Sequence, residues 1–268
     1  MSGDPAQRPF RVESFDGLTG RAWGSPPYAA VFLHGSLLSA AAWDQVLAPA
    51  DFSALALDLP GHGDSVRFAD GDYTHPRIAR EIVRALGDAL PATVVGHSRG
   101  GVVATHVAAL ARERVTCLVL VDADPTRPRP SATGRPLMRW SGSFDELVDD
   151  AAAMRPDLAR DRVADGVRRG AREREDGSWA WRWDPAVATR PDETEVAENR
   201  AALAAVRAEV TVIRGELSGA IRPEARDRIE ATLGRPIRLR DVRSGHNPHS
   251  EAPDALRGLL ADALAGRA

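Results

Sequence analysis

The chain has 268 residues, of which 43% are hydrophobic and 27% charged, and all 35 of its basic residues are arginine. The absence of lysine excludes a Schiff-base lysine, a pyridoxal-phosphate lysine, a Ser-Lys dyad and a Walker-type phosphate loop, because each needs an amine. A formal net charge of -3 gives no basic field, so we expect neither a nucleic acid nor an anionic membrane as partner.

Short apolar runs alternate with amphipathic segments along most of the chain, which is the pattern of βαβ units around a largely parallel sheet. In chain order we predict a strand at 28–33, a helix at 40–47, strands at 54–57 and 92–95 separated by a helix at 76–90, a helix at 102–110, strands at 115–121, 210–214 and 236–242, and a helix at 253–265. The fold class is therefore α/β.

The pattern is interrupted after the strand at 115–121. Residues 125–185 are rich in Arg, Asp, Pro and Gly, and they favour helices at 144–154 and 157–172 but no buried strand. We therefore expect a core formed by residues 1–125 and 186–268, with a helical cap (lid) inserted at 126–185.

Cysteine content and the N-terminus bear on the cellular compartment. The single cysteine, Cys117, lies in an apolar run and is expected to be a buried small side chain rather than a catalytic thiol. The sequence has no secretory pattern at its start and no apolar stretch of about 18 residues, so a cytoplasmic location is expected. A monomer and a homodimer both stay open.

One serine follows a predicted strand at the point where a helix begins. Gly96-His97-Ser98-Arg99-Gly100 fits GxSxG, and in this setting a tight turn exposes the serine hydroxyl at the carboxyl end of the sheet. The helix N-terminus adds amides that favour developing negative charge. The alternative is that Ser98 only caps the helix.

Four motifs in this order resemble the α/β-hydrolase superfamily, and the resemblance spans most of the chain. They are His34-Gly35 after the first core strand, the turn at 58–65, the Ser98 motif, and the segment 244–253 around His246. The chain looks most like capped serine esterases and hydrolases. The resemblance implies an α/β-hydrolase fold, with a mostly parallel sheet flanked by helices and a helical cap.

The resemblance also assigns catalytic roles. Ser98 matches the nucleophile, and His246 matches the base that takes its proton, with His249 as the competing base. The backbone amides of Ser36 and Arg99 match the oxyanion hole. No cofactor and no metal are implied.

The acid that orients the imidazole is where the sequence departs from the family's commonest pattern. That acid usually follows the family's seventh strand, but Ser218 and Gly219 stand at those positions and leave Glu216 as the nearby carboxylate. Some members place the acid after the sixth strand, where Asp122 stands here. We favour Asp122; Glu216, Asp124 and the lack of a functional acid stay open as alternatives.

These roles imply a cofactor-free serine hydrolase that forms an acyl-enzyme on Ser98. Its substrate would be an ester, lactone or thioester of a small molecule. Trp140 and Trp181 of the insertion are predicted substrate contacts, which favours an apolar group, although tryptophans there can also pack the cap onto the core. Two alternatives are carbon–carbon bond hydrolysis or cofactor-free oxygenation or cyclisation on the same fold, and a non-catalytic ligand-binding protein.

Overall fold

A mostly parallel sheet of eight strands forms the centre of the part of the chain that the structure describes. The structure is a computed structural model, and it describes residues 9–127, 139–154, 159–188, 193–222 and 224–266. In chain order the strands are β1 (Arg11–Phe15), β2 (Leu18–Trp23), β3 (Ala30–Leu33), β4 (Ala54–Leu57), β5 (Thr93–His97), β6 (Cys117–Val121), β7 (Ser141–Gly142), β8 (Ala171–Glu173), β9 (Trp179–Trp181), β10 (Glu209–Gly215) and β11 (Arg238–Val242).

Helices connect these strands and cover the sheet. They are α1 (Asp44–Leu47), α2 (His75–Leu86), α3 (Arg99–Leu110), α4 (Phe144–Met154), α5 (Arg160–Gly170), α6 (Glu193–Ala205), α7 (Ala225–Leu233), α8 (Pro248–Glu251) and α9 (Pro253–Leu264), with 3-10 turns at Ala40–Trp43, Gly87–Ala89 and Pro185–Ala188. No helix within the described ranges is long and apolar enough to span a bilayer.

The order of strands across the main sheet is β1-β2-β4-β3-β5-β6-β10-β11. From β4 to β11 all neighbours run parallel, so their carboxyl ends meet at one edge. Apolar clusters are buried on both faces, and every residue of β3 and β4 is buried. This confirms the predicted α/β fold and explains why these strands read as continuous apolar runs.

Helix α2 illustrates how sequence sets an element's limits. Ile78 and Ile82 recur at helical spacing and are fully buried, and each such side chain contributes about 1.5–3 kcal/mol. The helix was predicted at 76–90 but ends at Leu86, because Gly87 adopts a positive φ of 47° that glycine accommodates most readily. A 3-10 turn continues from Gly87 to Ala89.

The sequence-based predictions miss the antiparallel hairpin of β1 and β2. Its turn places Asp16 and Gly17 at positive φ values of 38° and 90°. Asp-Gly between two short strands is a strong hairpin signal, so this element was predictable. Helices α6 and α7 are also absent from the predictions; α6 packs against α3, and α7 packs against α6.

The segment between β6 and α6 contains two helices close to those predicted, together with a small sheet. The prediction of no buried strand here is wrong, because β7, β9 and β8 form an antiparallel sheet in which Ala180 and Trp181 are 2% and 6% exposed. Large residues at spacing two are typical of a half-buried strand. Residues 128–138 and 155–158 lie outside the described residues.

Candidate active site

Ser98 lies at the sharp turn between β5 and α3. Its φ of 50° and ψ of -117° are values that residues with a side chain rarely adopt. A Cβ atom on Gly96 would lie 2.2 Å from the carbonyl oxygen of Gly100, and one on Gly100 would lie 2.4 Å from that of His34. The two glycines of the motif are therefore required by close backbone approach, and they allow the turn that presents Ser98.

The imidazole of His246 lies between Ser98 and Asp122. Its Nε2 atom is 3.0 Å from Ser98 Oγ, and its Nδ1 atom is 2.6 Å from Asp122 Oδ2. The side chain of Asp122 is 0% exposed, whereas that of His246 is 43% exposed. Because a carboxylate only accepts, Nδ1 donates to Asp122 and leaves the lone pair of Nε2 facing the serine hydroxyl. A group in this arrangement can act as a general base.

Asp122 follows β6, and its carboxylate is held from the loop after the neighbouring strand β10. Ser218 Oγ donates to Asp122 Oδ2 at 2.5 Å, and the backbone N–H of Gly215 donates to Oδ1 at 3.1 Å. Ser218 is one of the two residues at the positions where the resemblance places the family's commonest acid, and its hydroxyl donates to the carboxylate that follows the neighbouring strand β6. This donor was not predicted, although Ser218 was noted as a departure from the pattern.

We expect Ser218→Ala to lower kcat/KM roughly 10-fold, because a hydrogen bond to a charged group contributes about 1.5–3 kcal/mol and part of it is replaced by water. Steady-state kinetics with a p-nitrophenyl ester measures the effect. Ser218→Thr retains a hydroxyl and should recover most of the loss. Equal activity of Ser218→Ala and the wild type would contradict a role for this hydrogen bond.

The other predicted candidates lie elsewhere. Glu216 is exposed, and Asp124 is buried in an ion pair with Arg228 at 2.7 Å. His249 is 4% exposed and packs against the ring of Trp43. Among the described side chains, the imidazole of His246 contacts both Ser98 and the buried carboxylate of Asp122.

Two further side chains fix the loop that carries His246. The carboxylate of Glu251 accepts the backbone N–H of Gly245 at 2.5 Å and that of Asn247 at 3.2 Å, one on each side of the histidine. The ring Nε2 of His97 donates to the carbonyl of His246 at 2.7 Å. Burial above all lowers the pKa of His97 well below its ordinary value, so this ring is a neutral structural donor. Neither role was predicted.

The loop after β3 carries Ser36 and is fixed by a buried imidazole. His34 Nδ1 donates to the carbonyl of Gly35 at 2.8 Å, and His34 Nε2 accepts the backbone N–H of Leu59 at 3.0 Å. One nitrogen can donate while the other accepts because burial lowers the pKa of His34 and keeps it neutral. Arg99 is the first residue of α3, next to Ser98. The oxyanion role of the Ser36 and Arg99 amides stays a prediction.

The two tryptophans predicted to contact substrate make packing contacts in the insertion. Trp181 is 6% exposed, and its ring centroid lies 6.1 Å from that of Trp183. Trp140 Nε1 donates to the carbonyl of Trp183 at 2.7 Å, and the guanidinium of Arg174 lies 4.6 Å from the Trp140 ring. These contacts stabilise the insertion. Contact of Trp140 or Trp181 with a substrate stays a prediction.

Metal-ion chemistry needs a group of ligating side chains, and thiol chemistry needs a reactive cysteine. Within the described ranges, no three His, Cys, Asp or Glu side chains are grouped so as to hold a metal ion. Cys117 is partly buried at the start of β6, and burial raises the pKa of its thiol. A raised pKa leaves little of the reactive thiolate at neutral pH.

Comparison with known proteins gives consistent matches over nearly the whole chain. A model of the alpha/beta hydrolase family matches residues 30–259. Esterase Rv0045c of Mycobacterium tuberculosis is 32% identical over 256 residues, which cover 89% of this chain and 84% of that protein. A crystal structure of this esterase superposes with a TM-score of 0.83 at 28% identity, covering 98% of this chain and 92% of the other.

Two further matches are weaker. The thioesterase domain from the curacin biosynthetic pathway has a TM-score of 0.74 at 23% identity, over 94% of this chain and 98% of that one, and it shows the shared fold. The pimeloyl-[acyl-carrier protein] methyl ester esterase of Vibrio parahaemolyticus is 38% identical over 98 residues, which cover 35% of this chain and 36% of that protein. From the extent of the family match and the sheet, we conclude that this chain is an enzyme of the α/β-hydrolase family.

Proposed function

We propose that this enzyme hydrolyses carboxylic esters through an acyl-enzyme on Ser98. The observation that carries the proposal is the hydrogen-bonded series from the buried carboxylate of Asp122 through His246 to the Ser98 hydroxyl. The full-length similarity to an esterase supports the same reaction. A serine hydroxyl alone is a weak nucleophile, and this arrangement supplies the base that activates it.

The reaction proceeds in two halves. His246 Nε2 takes the proton of Ser98 as Oγ attacks the ester carbonyl, and the same proton then passes to the departing alkoxide, which leaves as an alcohol. In the second half a water molecule gives a proton to His246 Nε2 as its oxygen attacks the acyl carbon. His246 then returns the proton to Ser98 Oγ as the bond between Oγ and the acyl carbon breaks and the acid leaves. Asp122 stays ionised throughout and stabilises the imidazolium. The amides of Ser36 and Arg99 are proposed to bind the oxyanion.

The segment 126–185 is proposed to act as a cap over Ser98. Its described part presents aromatic side chains, including Phe144 and Trp179, whose ring centroids are 4.9 Å apart. These aromatic side chains are proposed to favour a small, apolar acyl or alkyl group. Since the similar proteins include a thioesterase domain and a methyl ester esterase, we include acyl thioesters and methyl esters, with lactones, in the substrates to be screened.

Labelling with a fluorophosphonate tests the nucleophile directly. The wild type should gain one covalent adduct on Ser98, because the probe reacts with a serine that a neighbouring base activates. Ser98→Ala should gain none. Ser36→Ala is the matched control, since its proposed role needs only the backbone amide, and it should still be labelled. Intact-protein mass spectrometry measures the adduct, and peptide mapping locates it.

A hydrolysis screen over p-nitrophenyl esters of varied chain length, methyl esters, lactones and acyl thioesters then identifies the substrate class, with Ser98→Ala as the blank. A folded wild type that neither reacts with the probe nor hydrolyses any of these compounds would overturn the proposal and favour a ligand-binding protein that has kept the fold.

A further inference from the structure

The side chain of Arg99 extends from the first turn of α3 into the packing between helices. Arg99 is 4% exposed, its Nη1 atom donates to the carbonyl of Val187 at 2.6 Å, and its Nη2 atom donates to the carbonyl of Tyr73. A buried guanidinium is unfavourable unless its donors are satisfied. The two carbonyls are therefore part of what allows a charge to be buried beside the nucleophile.

Val187 belongs to the stretch by which the chain leaves the small sheet of the insertion and returns to the core, defined here as the return segment (residues 183–188). Core loops hold this segment at two points. The backbone N–H of Asp184 donates to the carbonyl of Gly61 at 2.7 Å, and Trp183 forms a β-bridge with His62. Arg99 adds a third point of attachment, from the helix that begins directly after Ser98.

Tyr73 contacts both the return segment and Arg99. Its hydroxyl donates to Asp184 Oδ2 at 2.9 Å, while its carbonyl accepts from Arg99. Tyr73 is 3% exposed and precedes α2, so it is itself fixed by the core. The return segment is thus bound to α3, the helix after Ser98, both directly at Val187 and through Tyr73.

The positive charge of Arg99 also interacts with the carboxylate of Glu195. Burial alone would raise the pKa of Glu195, yet the pKa lies below its ordinary value because His75 donates to the carboxylate and the charge of Arg99 favours the anion. Glu195 lies on α6, the first helix after the return segment. The guanidinium of Arg99 therefore interacts with the return segment through a hydrogen bond and with Glu195 of α6 through its charge.

We propose that the Arg99 side chain is a positioning residue that holds the cap over Ser98 by binding the return segment to the nucleophile's helix. This inference depends on the proposed ester hydrolysis and on the cap. A short acyl group needs only Ser98 and its partners, whereas a longer one also needs the cap in place. The Arg99 side chain therefore contributes more to the hydrolysis of esters with longer acyl chains than to that of esters with short ones, beyond any role of its backbone amide.

The test compares kcat/KM for p-nitrophenyl octanoate with kcat/KM for p-nitrophenyl acetate. In Arg99→Met we expect the octanoate-to-acetate ratio to fall about 10-fold or more. In Tyr73→Phe, which removes the bond to Asp184 and also the acceptor of the Phe68 backbone N–H, we expect it to fall about 3-fold. Arg235→Met is the matched control. Arg235 also donates to two backbone carbonyls, those of Val206 and Ala208, but it lies at the amino ends of the strands, so the ratio should stay within about 2-fold of the wild type.

Hydrogen exchange of the return segment provides a readout that does not require activity. Exchange of peptides covering residues 183–188 should be faster in Arg99→Met and Tyr73→Phe than in the wild type, and unchanged in Arg235→Met. If Arg99→Met fails to fold, Arg99→Lys replaces it. Lysine retains the charge but lacks the planar fork that reaches both carbonyls, so it should show the same two changes.

Equal loss on both esters in Arg99→Met, with unchanged exchange, would overturn the positioning role. A wild type without Ser98-dependent hydrolysis would instead refute the proposed function, and the exchange measurement would still decide whether Arg99 holds the return segment.

Discussion

His246→Ala is expected to lower kcat for ester hydrolysis by roughly five to six orders of magnitude, the size of loss that removal of a catalytic histidine causes in a serine protease. The reason is geometric. His246 Nε2 lies 3.0 Å from Ser98 Oγ, and without it none of the side chains that the structure describes is placed to take the hydroxyl proton. Steady-state kinetics on purified protein, with circular dichroism to confirm folding, measures the effect.

His249→Gln is the control for this experiment, because His249 was the competing base. It is 4% exposed and lies against the rings of Trp43 and His97. We expect this change to lower Tm and to reduce kcat by no more than about 10-fold, since a packing defect near the site misplaces catalytic groups only slightly. A loss equal to that of His246→Ala would show that the base has been assigned wrongly.

Asp122→Asn is expected to lower kcat by about four orders of magnitude, because an amide in place of the carboxylate allows the imidazole to adopt the wrong tautomer. In that tautomer His246 Nε2 carries the proton and cannot accept one from Ser98. The buried site also loses the negative charge that stabilises the imidazolium. The ratio of kcat between Asp122→Asn and the wild type, measured on a p-nitrophenyl ester, gives the result.

Glu216→Gln makes the same chemical change on the exposed carboxylate of the neighbouring loop. Because Glu216 makes no described hydrogen bond with His246 through its side chain, kcat should stay within about 3-fold of the wild type, as for most surface substitutions. The opposite ranking of the two variants would transfer the orienting role to Glu216.

Much of the core could be predicted from the sequence because the parallel strands are buried on both faces. Apolar runs such as those of β3 and β6 have few alternatives to a central strand. The candidate site was harder to predict from the sequence. Ser98 and His246 follow from motifs, but the choice between Asp122 and Glu216 depends on which side chain points at the imidazole, and spacing along the chain does not determine that.

Several of the contacts missed by sequence reasoning are made across long separations. Arg99 and Val187 are 88 residues apart in sequence, and Asp122 and Ser218 are 96 apart. No local pattern predicts which carbonyl a guanidinium or which carboxylate a hydroxyl will meet. The hairpin of β1 and β2 differs, because its Asp16-Gly17 turn is a local signal that was overlooked.

The adjacency of β6 and β10 has a consequence for how such a site can change during evolution. Val121 pairs with Ile213 in parallel register, and the loop after β10 carries Ser218 to the carboxylate of Asp122, which contacts the imidazole of His246. A chain carrying Ser218→Asp would hold two carboxylates there, and their mutual repulsion would keep one of them protonated. Either acid would then be dispensable, so the catalytic carboxylate can move from one strand to its neighbour through an intermediate that never lacks one.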